Sequence, residues 1–143
     1  MEDFVSFEIA KKLKEKGFNE FCYMYFDIEG KLYQVEEYDA MNSGITISSL
    51  LIKNICKWAV MDCTAPTISQ VLKWLRKEKD IYVQIEYINN EHFGSVIIRC
   101  STGGVIASYK DDKFHYSDSE TLSREKYEQA ALAGVEYVID NLI

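Results

Sequence analysis

One stretch, Ala65 to Ile88 (APTISQVLKWLRKEKDIYVQIEYI), limits the fold more than any other, because its apolar period changes from helical to strand-like partway along. Ile68, Val71, Leu72 and Leu75 stand at i, i+3, i+4 and i+7, which puts four large apolar side chains on one helix face and requires that face to be buried. Thr67 with Gln70 three residues on is a capping-box pattern, and Thr64 with Pro66 in the first turn is a competing start. Trp74 points about 160° away from Leu72 on an ideal helix and is expected off the buried stripe. After Lys79 and Asp80 the period becomes two, with Ile81, Val83, Ile85 and Tyr87 on one side and Tyr82, Gln84 and Glu86 on the other. An amphipathic helix must therefore run directly into a half-buried strand.

The flanking sequence extends this alternation of helix and strand. Asp3 can cap a first helix spanning Phe4 to Lys16, with Val5, Ile9 and Leu13 inward and Gly17-Phe18 as a Schellman stop. Phe21 to Phe26 and Lys31 to Val35 read as a hairpin closed at Gly30. Glu36 to Gly44 reads as a surface loop; a short helix over Ile47 to Ile55 and a short strand over Trp58 to Cys63 follow. After the central strand, Asn89 to Phe93 forms a turn. Gly94 to Ser101 returns with Val96, Ile98 and Cys100 on the inner face, and Thr102-Gly103-Gly104 leads into Val105 to Tyr109. Asp111-Asp112 marks a turn, Lys113 to Tyr116 a short edge strand and Ser117 to Leu122 a polar lead-in. Ser123 then caps a last helix whose stripe is Tyr127, Ala131, Val135, Val138 and Leu142. Gly134 inside that helix costs up to ~1 kcal/mol relative to Ala, so it marks a close approach to the sheet or to a second subunit.

Short turns between consecutive strands imply antiparallel pairing. The expected fold is α+β, one domain over residues 1–143, with an antiparallel sheet of about four to six strands and about three helices mainly on one face. With 48% hydrophobic and 27% charged residues in 143, the chain can bury a real core.

Charge and composition exclude several classes of function. The net charge of −7 is spread evenly, with 7 basic against 11 acidic residues over 1–64 and 9 against 12 over 65–143. No half carries the clustered Lys and Arg that a phosphate backbone or an anionic membrane requires. The N-terminus has no basic-then-apolar leader, and no apolar run approaches the ~18 residues of a membrane helix, so a cytoplasmic protein is expected. Cys22, Cys56, Cys63 and Cys100 form no CxxC pair and read as reduced, mostly buried small hydrophobes. A metal site is not expected, since the nearest cysteines, Cys56 and Cys63, lie seven apart and His92 and His115 are distant from each other. Gly103-Gly104 joins two strands and lacks the strand-to-helix setting of a phosphate cradle, so no nucleotide or other cofactor is expected.

Two functional readings remain. A thiol mechanism, in a small hydrolase or transferase, would draw on Cys63 or Cys100 with His115 as base. Against it stands the apolar strand setting of Cys100 and the solvated edge setting of His115. The favoured reading is a non-enzymatic protein that binds a protein partner or itself, as a twofold homodimer. Ten tyrosines exceed ordinary use, and the ring suits a surface that is covered while its hydroxyl stays wet, although half-buried strands also favour it. The interface residues expected on this reading are Trp74, Tyr82, Ile97, Leu132 and Tyr137, apolar groups left over once one core is built.

Three blocks, VSFEIAKKLKEKGFNEFCYMYF, CTAPTISQVLKWLRKEKDIYVQIEY and YEQAALAGVEYVIDNLI, together resemble a group of small uncharacterised proteins encoded on prophages and plasmids of gut anaerobic bacteria. The APTxxxxxKWLR pattern is the most specific piece, and residues 36–62 lie outside the likeness. The resemblance brings no activity, cofactor or catalytic residue; it implies an accessory role for a mobile element.

The even acidic balance predicts no binding of random duplex DNA or RNA near physiological salt. Fluorescence anisotropy checks this, and salt-sensitive micromolar binding would contradict it.

Overall fold

The structure is a computed structural model that describes residues 3–35, 51–55, 60–89, 92–110 and 124–143. Among the described residues it has an α+β fold with three helices and six antiparallel strands, the strands divided between two three-stranded sheets. The chain forms two compact units, Glu2–Thr67 and Ile68–Ile143.

In the first unit, α1 covers Phe7–Glu15 and is followed by β1 (Met24–Asp27), β2 (Leu32–Gln34) and β3 (Met61–Thr64), in sheet order β2-β1-β3. The N-cap is Ser6 rather than Asp3: its hydroxyl accepts the Ile9 N–H at 3.3 Å, and Val5 before it is buried in extended chain. The inner face is as expected, with Val5, Ile9 and Leu13 buried. The stop is a complete Schellman motif. Gly17 sits at φ +88°, Phe18 N–H donates to the Leu13 carbonyl at 2.9 Å and Gly17 N–H to the Lys14 carbonyl at 3.2 Å, while the Phe18 ring is buried.

The β1–β2 hairpin closes at Gly30, φ +85°. Asp27 Oδ1 accepts the N–H groups of Glu29 and Lys31 at 2.9 and 3.0 Å, and these bonds, the Lys31 one first, hold its carboxyl below the ordinary range. A Cβ at Gly30 would lie 2.6 Å from Cδ2 of Phe7, whose ring meets Phe26 at 5.4 Å. Gly30 therefore supplies both the turn conformation and room for a ring from α1.

The strand expected over Trp58 to Cys63 is β3, set slightly later. The short helix expected over Ile47 to Ile55 is not seen at residues 51–55, where Ile52 makes an antiparallel bridge with Cys22. The 36–44 loop lies outside the described residues, as do the rest of that helix, Asp111-Asp112, the 113–116 strand, the 117–122 lead-in and the Ser123 cap.

The second unit begins with α2 (Ile68–Lys79), directly after Thr67, and continues through β4 (Ile81–Asn89), β5 (His92–Arg99), β6 (Val105–Lys110) and α3 (Arg124–Asn141). Its sheet order is β4-β5-β6. Two faces differ from expectation. On α2 the buried set is Ile68, Val71, Trp74 and Leu75, with Leu72 only half-buried, so the helix is rolled toward Trp74. Covering an indole removes more apolar area from water than covering a leucine, which favours this roll.

On β5 the inner residues are Ser95 and Ile97, not Val96, Ile98 and Cys100. Directly paired residues of an antiparallel ladder share a face. Ile97 pairs with buried Val83, whereas Val96 and Ile98 pair with Gln84 and Tyr82 on the outer face. Cys100 lies past the strand end, in the turn, and is exposed.

The inner face of this sheet carries α3. Ala130, Ala131, Gly134, Val135, Val138 and Ile139 are buried, while Tyr127 of the expected stripe is exposed and Leu142 half-buried. The close approach expected at Gly134 is to the sheet. A Cβ there would lie 2.7 Å from Val83 Cγ1 and 2.9 Å from Ser95 Oγ.

Gly134→Ala should therefore lower stability. Overpacking costs about 1 to 3 kcal/mol, against a gain in helix propensity of up to ~1 kcal/mol. Urea unfolding measures the balance, and an unchanged or higher stability would show that α3 can lift from β4 and β5 without loss.

Candidate functional site

Of the thiol candidates, the described residues include Cys63 and Cys100 but not His115. Cys63 lies on β3 opposite Phe26, fully buried. Burial, followed by the neighbouring Asp62 charge, pushes its pKa from an ordinary 9.0 to about 12, with Lys14 and Lys11 pulling weakly the other way. Cys22 is raised to about 11 by burial; the Thr64 side chain opposes this and Glu20 adds to it. Both are neutral thiols near pH 7, without the thiolate that nucleophilic chemistry needs. Cys100 belongs to the other compact unit, and Cys56 and His115 lie outside the described residues. No group of three or more His, Cys, Asp or Glu side chains that could hold a metal ion occurs among the described residues.

Hydrogen bonds around Cys22 and Thr64 have a structural role. Asn54 Nδ2 donates to the Phe18 carbonyl at 2.7 Å, and Asn54 Oδ1 accepts the Thr64 N–H at 2.8 Å, so one amide ties the end of α1 to β3. Asn19 Oδ1 is buried with no hydrogen-bond partner among the described residues.

The five expected interface residues separate. Trp74 and Ile97 are core, at 5% and 0% exposure, and their assignment to an exposed surface is corrected by the roll of α2 and the register of β5. Leu132 and Tyr137 on α3 are half-buried. Tyr82 is exposed, as expected, and the sheet register sets beside it Ile98 and Val105, which the sequence reading did not single out.

Across the outer face of the second sheet the ladder aligns Tyr82 on β4, Ile98 on β5 and Val105 on β6. The β5–β6 register shifts between Ile97 and Ile98, so Val105 rather than Ile106 meets Ile98. Tyr82 is 38% and Val105 63% exposed, with Ile98 half-buried between them. Val96 continues the apolar surface beside Ile98, and Gln84 and Glu86 make the far end polar.

The near end of this row is bordered by a polar clasp. Asp80, between α2 and β4, adopts φ +58°, and its carboxylate accepts the Ser101 N–H at 2.8 Å and the Ser101 hydroxyl at 2.6 Å. Arg99 approaches the same carboxylate at 3.8 Å, and Cys100 N–H donates to the Asp80 carbonyl. The clasp joins the α2–β4 junction to the β5–β6 turn. Beside it the Arg76 guanidinium lies over the Tyr82 ring, 5.8 Å from its centroid. In sequence this row is marked by Tyr82, on the polar side of its strand, and by the unbroken Val96-Ile97-Ile98 run, apolar on both faces of one strand.

Among the described residues no helix is long and apolar enough to cross a membrane. Comparison with protein-family models, with curated proteins and with solved structures finds no match to the chain.

The two burial-raised thiols predict an order of reactivity. Iodoacetamide at mildly alkaline pH should label Cys100 in the native protein and leave Cys22 and Cys63 unlabelled until denaturant is added, as read by peptide mass mapping. Both folded pKa values lie above the ordinary 9.0. The folded state therefore holds more protons than the unfolded state between about pH 9 and 12, and these thiols contribute a stability that falls as pH rises through that window. Native labelling of Cys63 as fast as Cys100 would contradict the assignment.

Proposed function

We propose that this chain is a non-enzymatic accessory protein of a mobile element, cytoplasmic, that works by binding another protein or a second copy of itself. The outer face of the β4–β6 sheet is the contact surface. The observation that carries the reading is the cross-strand row Tyr82–Ile98–Val105, apolar side chains in register on the sheet face opposite α3, with its outer members open to solvent. Exposed contiguous apolar surface rimmed by polar groups is a mark of interaction sites, and tyrosine and arginine are the side chains that interface centres favour. The high pKa values of Cys22 and Cys63 favour binding over a thiol mechanism. The mobile-element setting rests on the likeness of the three sequence blocks.

Val105→Asp tests the surface. At a position 63% exposed the substitution should change folding stability by no more than about 0.5 kcal/mol, while a charge on the apolar row opposes its burial in an interface. Light scattering behind size exclusion reads self-association against the 16.6 kDa monomer, and cross-linking in the native host reads a second protein. The expected result is a complex of either kind that Val105→Asp abolishes. A monomer whose cross-linked partners are unchanged by Val105→Asp would overturn the reading.

A further inference from the structure

We infer that the occupant of the Tyr82–Ile98–Val105 surface is an acidic segment of another protein, with large apolar side chains flanked by carboxylates. This rests on the binding reading above and adds the chemistry of the partner. Although the chain carries −7 overall, the border of this row on the α2 side is cationic. Arg76 lies over the Tyr82 ring at the edge of the row, and Lys73 and Lys77 stand at i−3 and i+1 from it, exposed on α2.

The nearby carboxylates leave that charge largely unanswered. Asp80 is engaged by Ser101 and Arg99, and Glu78 lies 3.7 Å from Lys77. Among the described residues neither Lys73 nor Arg76 makes an ion pair. Glu86 shares the outer face with Tyr82 but lies four residues along β4, about 13 Å away at the rise of a strand. The surface is thus apolar in the middle and cationic at the Arg76 end.

A carboxylate from the partner can meet Arg76 in a bidentate geometry while its neighbouring apolar side chain covers Ile98 and Val105. Complementary charge of this kind fixes orientation and speeds encounter, and the apolar contact supplies the hold. A nucleic acid or lipid surface fits less well. Three cations on one helix turn provide few phosphate contacts, and the apolar row would face a phosphate backbone.

Selection of a random peptide library on phage against the immobilised full chain tests the inference. Selected peptides are then synthesised and titrated by anisotropy against wild type, Arg76→Glu and Val105→Asp. The expected outcome is enrichment of Asp or Glu beside Leu, Ile, Phe or Trp, with affinity reduced at least tenfold by Arg76→Glu and falling as salt is raised. Neutral or basic peptides that still depend on Val105 would overturn the acidic partner and leave the surface standing. Peptides insensitive to Val105→Asp would overturn the surface itself. A selection that yields no binder, or a wild-type chain that occupies the surface with its own second copy in light scattering, would also overturn the inference.

Discussion

The contact of Gly134 with Val83 and Ser95 is the constraint on which the second unit depends. With hydrogen in place of a side chain, α3 settles onto β4 and β5 closely enough that a Cβ would clash with both strands. This approach commits one face of the sheet to the interior, and because side chains alternate along a strand, it commits Tyr82, Val96 and Ile98 to the other. The arrangement leaves Ser95 Oγ buried with no hydrogen-bond partner among the described residues. An unsatisfied hydroxyl of this kind costs on the order of 1 to 3 kcal/mol, and here it accompanies a small side chain beneath the glycine. Close backbone approach and a small residue opposite are parts of one packing solution.

The first unit is held by local chain geometry to a greater degree. A Schellman stop ends α1, an Asx-type turn closes the hairpin, and Gly30 makes room for Phe7. Around these, Tyr25, Val35 and Ile52 form a buried cluster with Tyr33 and Met61 against it, the two tyrosine rings stacked at 5.5 Å. The Asn54 amide then links α1 to β3 through two backbone groups far apart in sequence. Cys22 and Cys63 are buried in this unit, where a neutral thiol is favoured over a thiolate. Their chemistry is that of small core residues.

The apolar row on the second sheet has two supports. The Asp80 clasp stabilises the end of the sheet at which the row lies, and the left-handed backbone of Asp80 lets α2 turn into β4 without an intervening loop. Arg76, at the last turns of α2, is thereby carried to the Tyr82 ring. A helix and strand joined by a single residue thus bring a cation and an aromatic ring together at one edge of an exposed face.

Sequence by itself determined several of the elements and some of their ends. A change of period from 3.6 to 2 reveals α2 and β4, Gly17-Phe18 writes the stop of α1, Gly30 closes the hairpin, and Gly134 marks a close approach. These are local rules, carried by backbone conformation and by spacing within one element. Tertiary structure alone decided which faces are inside. The run Val96-Ile97-Ile98 is apolar on both sides of its strand, and only pairing of Ile97 with Val83 beneath α3 sends Ile98 outward. Trp74 and Leu72 lie on opposite sides of an idealised helix, and only the packing of α2 settles which is more deeply covered. A face is a relation between elements, so alternation within a strand or helix cannot choose it when both sides are apolar.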